Sequence, residues 1–372
     1  MPSLVALDIT PGQFFVDQMN KVWDNGDAIL PIDQRLPVIA KQQLISQLGA
    51  SFIIDQQGDV SATSSGFAVE IGDALVVATS GSTGAAKGVV HTHDSILAAV
   101  VAGGNRIDCS NTDHWLSCLP LAHVGGLSVV LRAIHYGSKL TIAPRVQGSA
   151  IANALNHGAT LTSLVPTILQ RVDVSKFRVV LVGGSAMIDA LPTNAITTYG
   201  LTESMGGIVY NGLALDGVEI RINNEEEIEI RGKMLFRNYR DGSDPKSIDG
   251  WFATADLGEI DGNSQLRVLG RKDDLIISGG HKVWPSTVER ALMLHPNIAD
   301  VCVRGAPDPT WGNAVTAWIV RRDSMTNLSL SDVRDFLSDT LPDYSTPKKI
   351  YLIREIPRNA LGKVRVSDLV YE

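Results

Sequence analysis

Short apolar segments alternate with stretches of helical character between residues 75 and 200, and this alternation constrains the fold most strongly. Strands are predicted at residues 75–79, 114–119, 139–142, 160–164, 178–182 and 195–198. Helices are predicted at residues 92–102, 126–136, 149–156 and 166–172. The alternation is typical of an α/β fold, in which helices cover both faces of a mostly parallel sheet. Because ligands of such sheets bind beyond the carboxyl ends of the strands, motifs at those ends are expected to share one site.

The rest of the chain has a different character. Residues 217–269 favour short antiparallel strands, and residues 274–372 favour a compact α+β unit. Residues 1–74 are the least informative part, with helices predicted at 13–23 and 38–48 and a short buried strand at 52–54. A chain of 372 residues is long enough for two domains.

Composition argues against several classes of partner. The net charge of −8 implies no basic face for nucleic acid. No uncharged apolar run approaches the ~20 residues of a membrane span, and the N-terminus lacks the features of a signal peptide. The three cysteines, Cys109, Cys118 and Cys302, have no CxxC spacing. We interpret them as reduced core thiols of a cytoplasmic protein, with a catalytic thiol as the alternative.

A loop rich in small hydroxyl and glycine residues follows the predicted strand at 75–79. Residues 79–84 read TSGSTG, and Lys87 and Gly88 come shortly after. The N–H and O–H donors of such a loop suit a polyphosphate, with the lysine supplying positive charge. The loop fails the Walker A pattern, because Ala86 stands where a glycine is required and Gly88 follows the lysine. A flexible surface loop is the alternative interpretation.

This loop, TSGSTGAAKG, resembles the phosphate loop of the adenylate-forming enzymes. That superfamily includes acyl- and aryl-CoA ligases, adenylation domains of peptide synthetases, and luciferases. Its usual form has proline before the lysine, where this chain has Ala86. Residues 199–204, YGLTES, match a second family motif without departure. Six ordered motifs between residues 75 and 365 carry the resemblance, and on them the chain is identified as a member of the superfamily.

The resemblance implies a nucleotide site for ATP. In the family, the turn at 183–185 lies against the adenine, Asp256 accepts both ribose hydroxyls, and Arg271 reaches the ribose and phosphate. A tight turn and a solvated carboxylate are the alternative interpretations. The predicted nucleotide-binding residues are Thr79, Ser80, Gly81, Ser82, Thr83, Gly84, Lys87, Gly183, Gly184, Ser185, Thr198, Tyr199, Gly200, Asp256 and Arg271.

The resemblance also implies the catalytic and substrate-binding residues. Lys363 follows a glycine near the C-terminus and would contact the substrate carboxylate and the α-phosphate, although it could be an ordinary surface lysine. Thr202 would donate to the α-phosphate, and Glu203 would bind Mg²⁺, which prefers oxygen ligands. His123 matches the family's histidine at the acyl pocket; a packing histidine is the alternative. The predicted catalytic residues are Lys363, Thr202, Glu203 and His123, and the predicted pocket residues are His123, Ser204, Gly206 and Gly207.

A domain rotation is a further implication of the resemblance. Asp273 would be the hinge between an N-terminal adenylation domain at 1–272 and a smaller mobile domain at 273–372. Gly279 and Gly280 would line the pantetheine tunnel and so bind CoA. The front segment, 1–74, is short for the family.

The predicted function is that of an ATP-dependent acid–CoA ligase using ATP, Mg²⁺ and CoA. The short front and the phrase Asp33-Gln34-Arg35-Leu36-Pro37 resemble actinobacterial o-succinylbenzoate–CoA ligases of menaquinone biosynthesis. Another small aryl or acyl acid, or a carrier protein in place of CoA, stays open. A non-catalytic relative that binds nucleotide or CoA is the alternative from another class. The sequence leaves the oligomeric state undetermined.

Overall fold

A computed structural model describes residues 1–80, 86–145, 147–169, 171–184, 191–323, 327–358 and 364–369, with Ser80 described by its backbone alone. The chain forms two compact units. The first unit comprises Met1–Ile220, Ile230–Phe252 and Gly262–Leu266. The second unit comprises Arg221–Glu229, Ala253–Asp261 and Arg267–Glu372. The units therefore do not divide at a single point of the chain, and the domain boundary and hinge at Asp273 remain predictions.

The secondary structure elements follow one another along the whole chain. In chain order the strands are β1 (Leu4–Leu7), β2 (Ala28–Pro31), β3 (Phe52–Ile54), β4 (Val60–Ala62), β5 (Asp73–Ser80), β6 (Ala86–Thr92), β7 (His114–Ser117), β8 (Lys139–Ile142), β9 (Leu161–Leu164), β10 (Val179–Gly183), β11 (Ala195–Leu201), β12 (Gly206–Tyr210), β13 (Leu213–Ala214), β14 (Glu219–Ile222), β15 (Glu227–Arg231), β16 (Asn238–Tyr239), β17 (Phe252–Ile260), β18 (Leu266–Arg271), β19 (Ile276–Ser278), β20 (His281–Val283), β21 (Ile298–Asp308), β22 (Gly312–Arg321) and β23 (Lys349–Ile353). The α-helices are α1 (Gln13–Asp24), α2 (Val38–Leu48), α3 (His93–Asn105), α4 (Val124–Tyr136), α5 (Gly148–Asn156), α6 (Pro166–Leu169), α7 (Pro285–Met293) and α8 (Leu330–Leu337). Short 3₁₀ turns lie at Thr202–Ser204, Lys272–Asp274 and Val366–Asp368.

Two seven-stranded sheets form the first unit. One has the order β16-β6-β5-β2-β1-β3-β4, and the other has the order β13-β12-β11-β10-β9-β7-β8. Both contain a run of parallel strands, β5-β2-β1-β3 and β11-β10-β9-β7-β8. The first sheet ends in antiparallel strands at both edges, and the second at one edge, because its other edge is the parallel strand β8. The predicted single sheet is therefore two sheets. Strands β1, β2, β7, β9 and β10 are mostly buried, as expected for parallel strands covered by helices on both faces.

A third sheet, β14-β15-β17-β18, lies largely in the second unit. The second unit also contains a fourth sheet, β20-β19-β22-β21, with β23 paired in parallel to β22. Helix α7 begins with proline in its first turn, as the sequence predicts, because that position needs no backbone N–H donor. Its buried Val288 and Leu292 pack with Val333 and Leu337 of α8 in one apolar core.

The predicted fold class is confirmed: an α/β first unit rich in parallel strands, and a smaller α+β second unit. The predicted helix at 38–48 and strand at 52–54 have the bounds that the structure shows. Strand β6 was not predicted, because Lys87 and Gly88 are residue types that favour a continued loop after β5. Among the described residues, no helix combines the length and the apolar character needed to cross a bilayer.

Candidate active site

The phosphate loop is flanked by an antiparallel pair of strands. Strands β5 and β6 pair Thr79 with Lys87 and Ser80 with Ala86, so the hairpin brings both ends of the loop together. The ammonium group of Lys87 is exposed and lies 5.0 Å from the centre of the Tyr239 ring. The predicted residues Gly81, Ser82, Thr83 and Gly84 lie outside the described residues. The structure therefore describes Thr79 and Lys87 at the two ends of the predicted phosphate site.

The second glycine motif follows β10. Gly183 ends this strand and pairs in parallel with Thr198 of β11, whose hydroxyl donates to the Val182 carbonyl oxygen over 3.3 Å. Gly184 has a φ of 89°, and Ser185 lies outside the described residues. The structure thus brings Gly183 next to Thr198 at the carboxyl edge of a parallel pair, where bound ligands are expected.

Strand β11 runs further than predicted, to Leu201, because β12 returns beside it in the antiparallel direction. The register shifts between Tyr199 and Gly200. A Cβ atom on Gly200 would lie only 1.8 Å from the Gly206 carbonyl oxygen, so only glycine allows this approach. Gly200 therefore lies where the two paired strands approach each other closely, and the chain reverses in the next three residues.

The reversal is the 3₁₀ turn Thr202–Ser204, which ends at Met205 with a φ of 57°. The Ser204 hydroxyl accepts a hydrogen bond from the Leu201 N–H over 3.0 Å and lies 2.9 Å from the Gly206 carbonyl oxygen. Ser204 is fully buried, so its hydroxyl serves the turn itself. Its role in a substrate pocket, with that of Gly206 and Gly207, remains a prediction.

Glu203 projects from this turn and is half-buried. The Tyr239 hydroxyl donates to Glu203 Oε1 over 3.0 Å, and the Phe236 N–H donates to the Glu203 carbonyl oxygen over 2.8 Å. Among the residues that the structure describes, no cation forms an ion pair with Glu203. No sequence motif indicated Tyr239 as a partner of Glu203.

This environment fits Mg²⁺. No group of three or more acidic, histidine or cysteine side chains forms a metal cage within the described part of the chain. Mg²⁺ is often held instead by one or two carboxylates together with substrate phosphates and water. A half-buried carboxylate that is held by a tyrosine and has no described cationic partner suits that role.

His123 precedes α4 and lies against the segment 33–37. Its Nε2 atom is 3.3 Å from Asp33 Oδ2 and 3.3 Å from Arg35 Nη2. The Arg35 guanidinium also donates to both carboxylate oxygens of Asp33, over 2.8 and 2.6 Å. Burial alone would raise the pKa of Asp33, but the hydrogen bonds from Arg35 and His123 outweigh it and hold that pKa well below its usual range. His123 and the segment 33–37 were singled out by separate sequence features, and the structure shows that they are in contact within the first unit.

The predicted ribose-binding residues, Asp256 and Arg271, lie next to each other in the second unit. Asp256 is buried on β17, and its Oδ1 accepts a hydrogen bond from Arg271 Nη1 over 3.1 Å. The same nitrogen donates to the Thr254 carbonyl oxygen over 3.1 Å. Ala255 has a φ of 59°, an unusual conformation for a residue other than glycine and one often found at functional sites. Asp256 lies within β17 and is buried, so the alternative interpretation of a solvated carboxylate is wrong.

The predicted CoA-binding glycines form a two-residue hairpin turn. Gly279 and Gly280, with φ angles of 56° and 81°, connect β19 to β20, and Ser278 pairs with His281. A turn of this kind needs positive φ at both central residues, which explains the pair of glycines. Asp273 lies exposed in the 3₁₀ turn Lys272–Asp274, and Lys363 lies outside the described residues.

The chain matches known family models over most of its length. Residues 68–239 match the AMP-binding enzyme model, and residues 287–363 match the AMP-binding enzyme C-terminal domain model. A 2-succinylbenzoate–CoA ligase of Bacillus cytotoxicus is 31% identical over 334 residues, covering 79% of this chain and 69% of the relative. A probable 2-succinylbenzoate–CoA ligase of Mycobacterium tuberculosis is 34% identical over 322 residues, covering 80% of this chain and 84% of the relative.

The fold is also that of a solved structure. The o-succinylbenzoate coenzyme A synthetase from Bacillus subtilis, in complex with ATP and magnesium ion, superposes with a TM-score of 0.85. The match covers 99% of this chain and 89% of the other, at 24% identity. At that identity the likeness supports the fold alone.

Proposed function

Because the chain belongs to the family of AMP-binding enzymes, we propose that it is an ATP-dependent o-succinylbenzoate–CoA ligase, an enzyme of menaquinone biosynthesis. Its substrates are the acid, ATP and CoA, and its metal cofactor is Mg²⁺. The observation that carries the proposal is the identity of 31% and 34% to two relatives that bear this name. The turn that presents Thr202 and Glu203 supports the reaction type.

In the first step the substrate carboxylate attacks the α-phosphate of ATP. A P–O bond forms to the acid, the bond to pyrophosphate breaks, and an acyl-adenylate results. Negative charge develops on the phosphates, so donors fixed around them lower the barrier. Thr202 donates its hydroxyl to the α-phosphate, and Lys363 contributes positive charge. Glu203 holds Mg²⁺, which supplies further positive charge when it is bound.

In the second step the thiol of CoA attacks the acyl carbonyl. A thioester bond forms, the bond to AMP breaks, and the thiol proton is lost. The thiol needs the space beside the carbonyl that Lys363 occupies in the first step. Rotation of the C-terminal domain about Asp273 removes the lysine and presents the turn at Gly279 and Gly280.

The ribose is held by Asp256, whose two carboxylate oxygens suit a pair of hydroxyl donors. Its hydrogen bond from Arg271 supports this role, because the guanidinium orients the carboxylate. The acid lies beside His123, and the contact of His123 with Asp33 and Arg35 supports a polar pocket there. We also propose a cytoplasmic location, which suits three free and buried cysteines.

The test is product formation by the purified protein with ATP, Mg²⁺, CoA and o-succinylbenzoate, with AMP and thioester measured together. We expect stoichiometric AMP and thioester at a rate at least tenfold above the rates with benzoate and short fatty acids. AMP without thioester would point to a different acceptor. Turnover of another acid alone would retain the ligase reaction and reject o-succinylbenzoate. No turnover of any acid would favour a nucleotide-binding relative without catalysis.

A further inference from the structure

His91 is a buried polar residue beside the catalytic turn. It lies on β6, is fully buried, and belongs to none of the motifs that predict the nucleotide site. Its Nε2 atom is 2.7 Å from the Thr202 carbonyl oxygen, a contact between residues 111 positions apart in sequence. A buried imidazole at this distance from the backbone of the catalytic turn calls for a physical explanation.

The protonation state of His91 follows from its partners. Burial lowers the pKa of His91 to about 4, although the hydrogen bond to Thr202 acts in the opposite direction. The ring is therefore neutral near pH 7 and carries one N–H. A carbonyl oxygen only accepts hydrogen bonds, so the hydrogen must lie on Nε2. Nδ1 then carries no hydrogen and lies 3.3 Å from the Ser95 hydroxyl oxygen, whose own hydrogen donates to the Thr92 carbonyl oxygen over 3.0 Å.

Ser95 lies beside the Nδ1 side of the His91 ring. It forms a capping box with Thr92 at the start of α3: the Ser95 N–H donates to Thr92 Oγ1, and the Thr92 N–H donates to Ser95 Oγ, each over 3.1 Å. Such a reciprocal pair fixes the first turn of a helix. His91 therefore connects a fixed helix start to the Thr202 carbonyl group.

The Thr202 carbonyl group belongs to the peptide that joins Thr202 to Glu203. It accepts hydrogen bonds from His91 and from the Met205 N–H, the latter over 3.1 Å. The next carbonyl, that of Glu203, accepts from the Phe236 N–H. Because both peptide groups are fixed, the directions in which the side chains of Thr202 and Glu203 leave the backbone are fixed as well. Fixed donors and ligands cost no reorganisation during the reaction.

We infer that His91 is a positioning residue for acid adenylation: its Nε2–H holds the Thr202–Glu203 peptide so that both side chains are directed toward Mg·ATP. The inference rests on the proposed function, because it assigns Thr202 and Glu203 to that reaction. His91 itself touches neither substrate nor metal. Its effect is larger in the first step, in which both Thr202 and Glu203 act, than in the second step, in which the Thr202 contact with the α-phosphate of the adenylate is what remains.

The test uses three substitutions that differ in where they offer an N–H group. His91→Gln places an amide near Nε2, His91→Asn places one near Nδ1, and His91→Leu offers none. We expect His91→Leu and His91→Asn to slow adenylation about tenfold and to raise the Mg²⁺ concentration for half-maximal rate, as for one lost hydrogen bond. His91→Gln should stay within about threefold of wild type.

Thioester formation from supplied acyl-adenylate and CoA is the internal control. We expect all three variants to retain it within about threefold, because the Mg²⁺-dependent release of pyrophosphate is already complete in this step. Equal losses in both steps, or a His91→Gln variant as impaired as His91→Leu, would overturn the inference and leave His91 as a packing residue. Thermal unfolding identifies a variant that fails to fold; if His91→Leu fails, the Gln and Asn pair decides.

Calorimetric binding of Mg·ATP separates this inference from the proposed function. If wild type turns over another acid instead of o-succinylbenzoate, the same series is run with that acid. If wild type binds Mg·ATP and turns over no acid, the proposed function fails. The inference then requires weaker Mg·ATP binding by His91→Leu and His91→Asn than by His91→Gln. Equal affinities in the three variants would overturn it.

Discussion

Glu203 shows how a single side chain with a predicted catalytic role depends on residues far from it in sequence. Its own motif, YGLTES, predicts a metal ligand. The motif does not predict that Tyr239 donates to Oε1 or that Phe236 fixes the carbonyl group. Both partners lie more than thirty positions further along the chain, and no local pattern of residues encodes such contacts. A sequence therefore identifies the ligand more readily than the groups that orient it.

Removing one of those groups gives a prediction for Tyr239. Tyr239→Phe deletes the hydroxyl that donates to Glu203 and keeps the ring that lies beside Lys87. We expect the Mg²⁺ concentration for half-maximal adenylation to rise about tenfold or more, as for one hydrogen bond to a charged group. Titration of the initial rate of AMP release with Mg²⁺ measures the shift.

Tyr136→Phe is the matched control. The Tyr136 hydroxyl bonds Asn105 Oδ1 over 2.8 Å and has no contact with the Thr202–Ser204 turn. This variant should leave the Mg²⁺ dependence unchanged. The role of Tyr239 would be refuted by an equal shift in both variants, or by no shift in Tyr239→Phe.

At the scale of secondary structure elements, strand β6 is the main difference between the predicted and the observed fold. Its Val89, Val90 and His91 are buried, so the strand belongs to the core of the first sheet. Lys87 and Gly88 concealed its start, because a lysine and a glycine after a loop favour a longer loop. Strands β1 and β2 were not predicted because each has only four residues, and β2 ends in a proline, which cannot donate to a sheet hydrogen bond. Helix α2 and strand β3 were predicted with correct bounds.

The buried His91 of β6 gives a prediction for acid stability. Its pKa of about 4 in the folded protein lies below the ordinary value of 6.5 in the unfolded chain. Between those pH values the unfolded chain binds the proton more readily, so the stabilisation present above pH 6.5 is lost as the pH falls to about 4. The contribution amounts to about 3 kcal/mol.

The measurement compares the free energy of unfolding of wild type and His91→Gln at pH 7 and pH 4.5. The variant has every other titrating group of the wild type. The difference between the two proteins in how the free energy of unfolding changes with pH therefore comes from His91. We expect wild type to lose about 2–3 kcal/mol more than the variant on acidification. Parallel losses in the two proteins would show that His91 is protonated when folded, or that it is not buried in solution.

At the scale of the whole molecule, the proposed machinery is divided between two compact units. The first unit contains the phosphate-loop strands, the Thr202–Ser204 turn and His123, and the second contains Asp256, Arg271 and the turn at Gly279 and Gly280. The predicted domains, 1–272 and 273–372, divide these residues differently: they place Asp256 and Arg271 in the N-terminal domain, and only Gly279 and Gly280 in the C-terminal one. The rotation about Asp273, which would let one chain perform two different reactions, remains a proposal.

The most direct measurement of the central claim is detection of the acyl-adenylate itself. The protein is mixed at equal concentration with Mg·ATP and o-succinylbenzoate in the absence of CoA, quenched with acid, and analysed by mass spectrometry. The account predicts o-succinylbenzoyl-AMP and pyrophosphate in equal amounts, followed by conversion to thioester and AMP when CoA is added. ADP and phosphate in place of these products, or no adenylate of any acid, would contradict it.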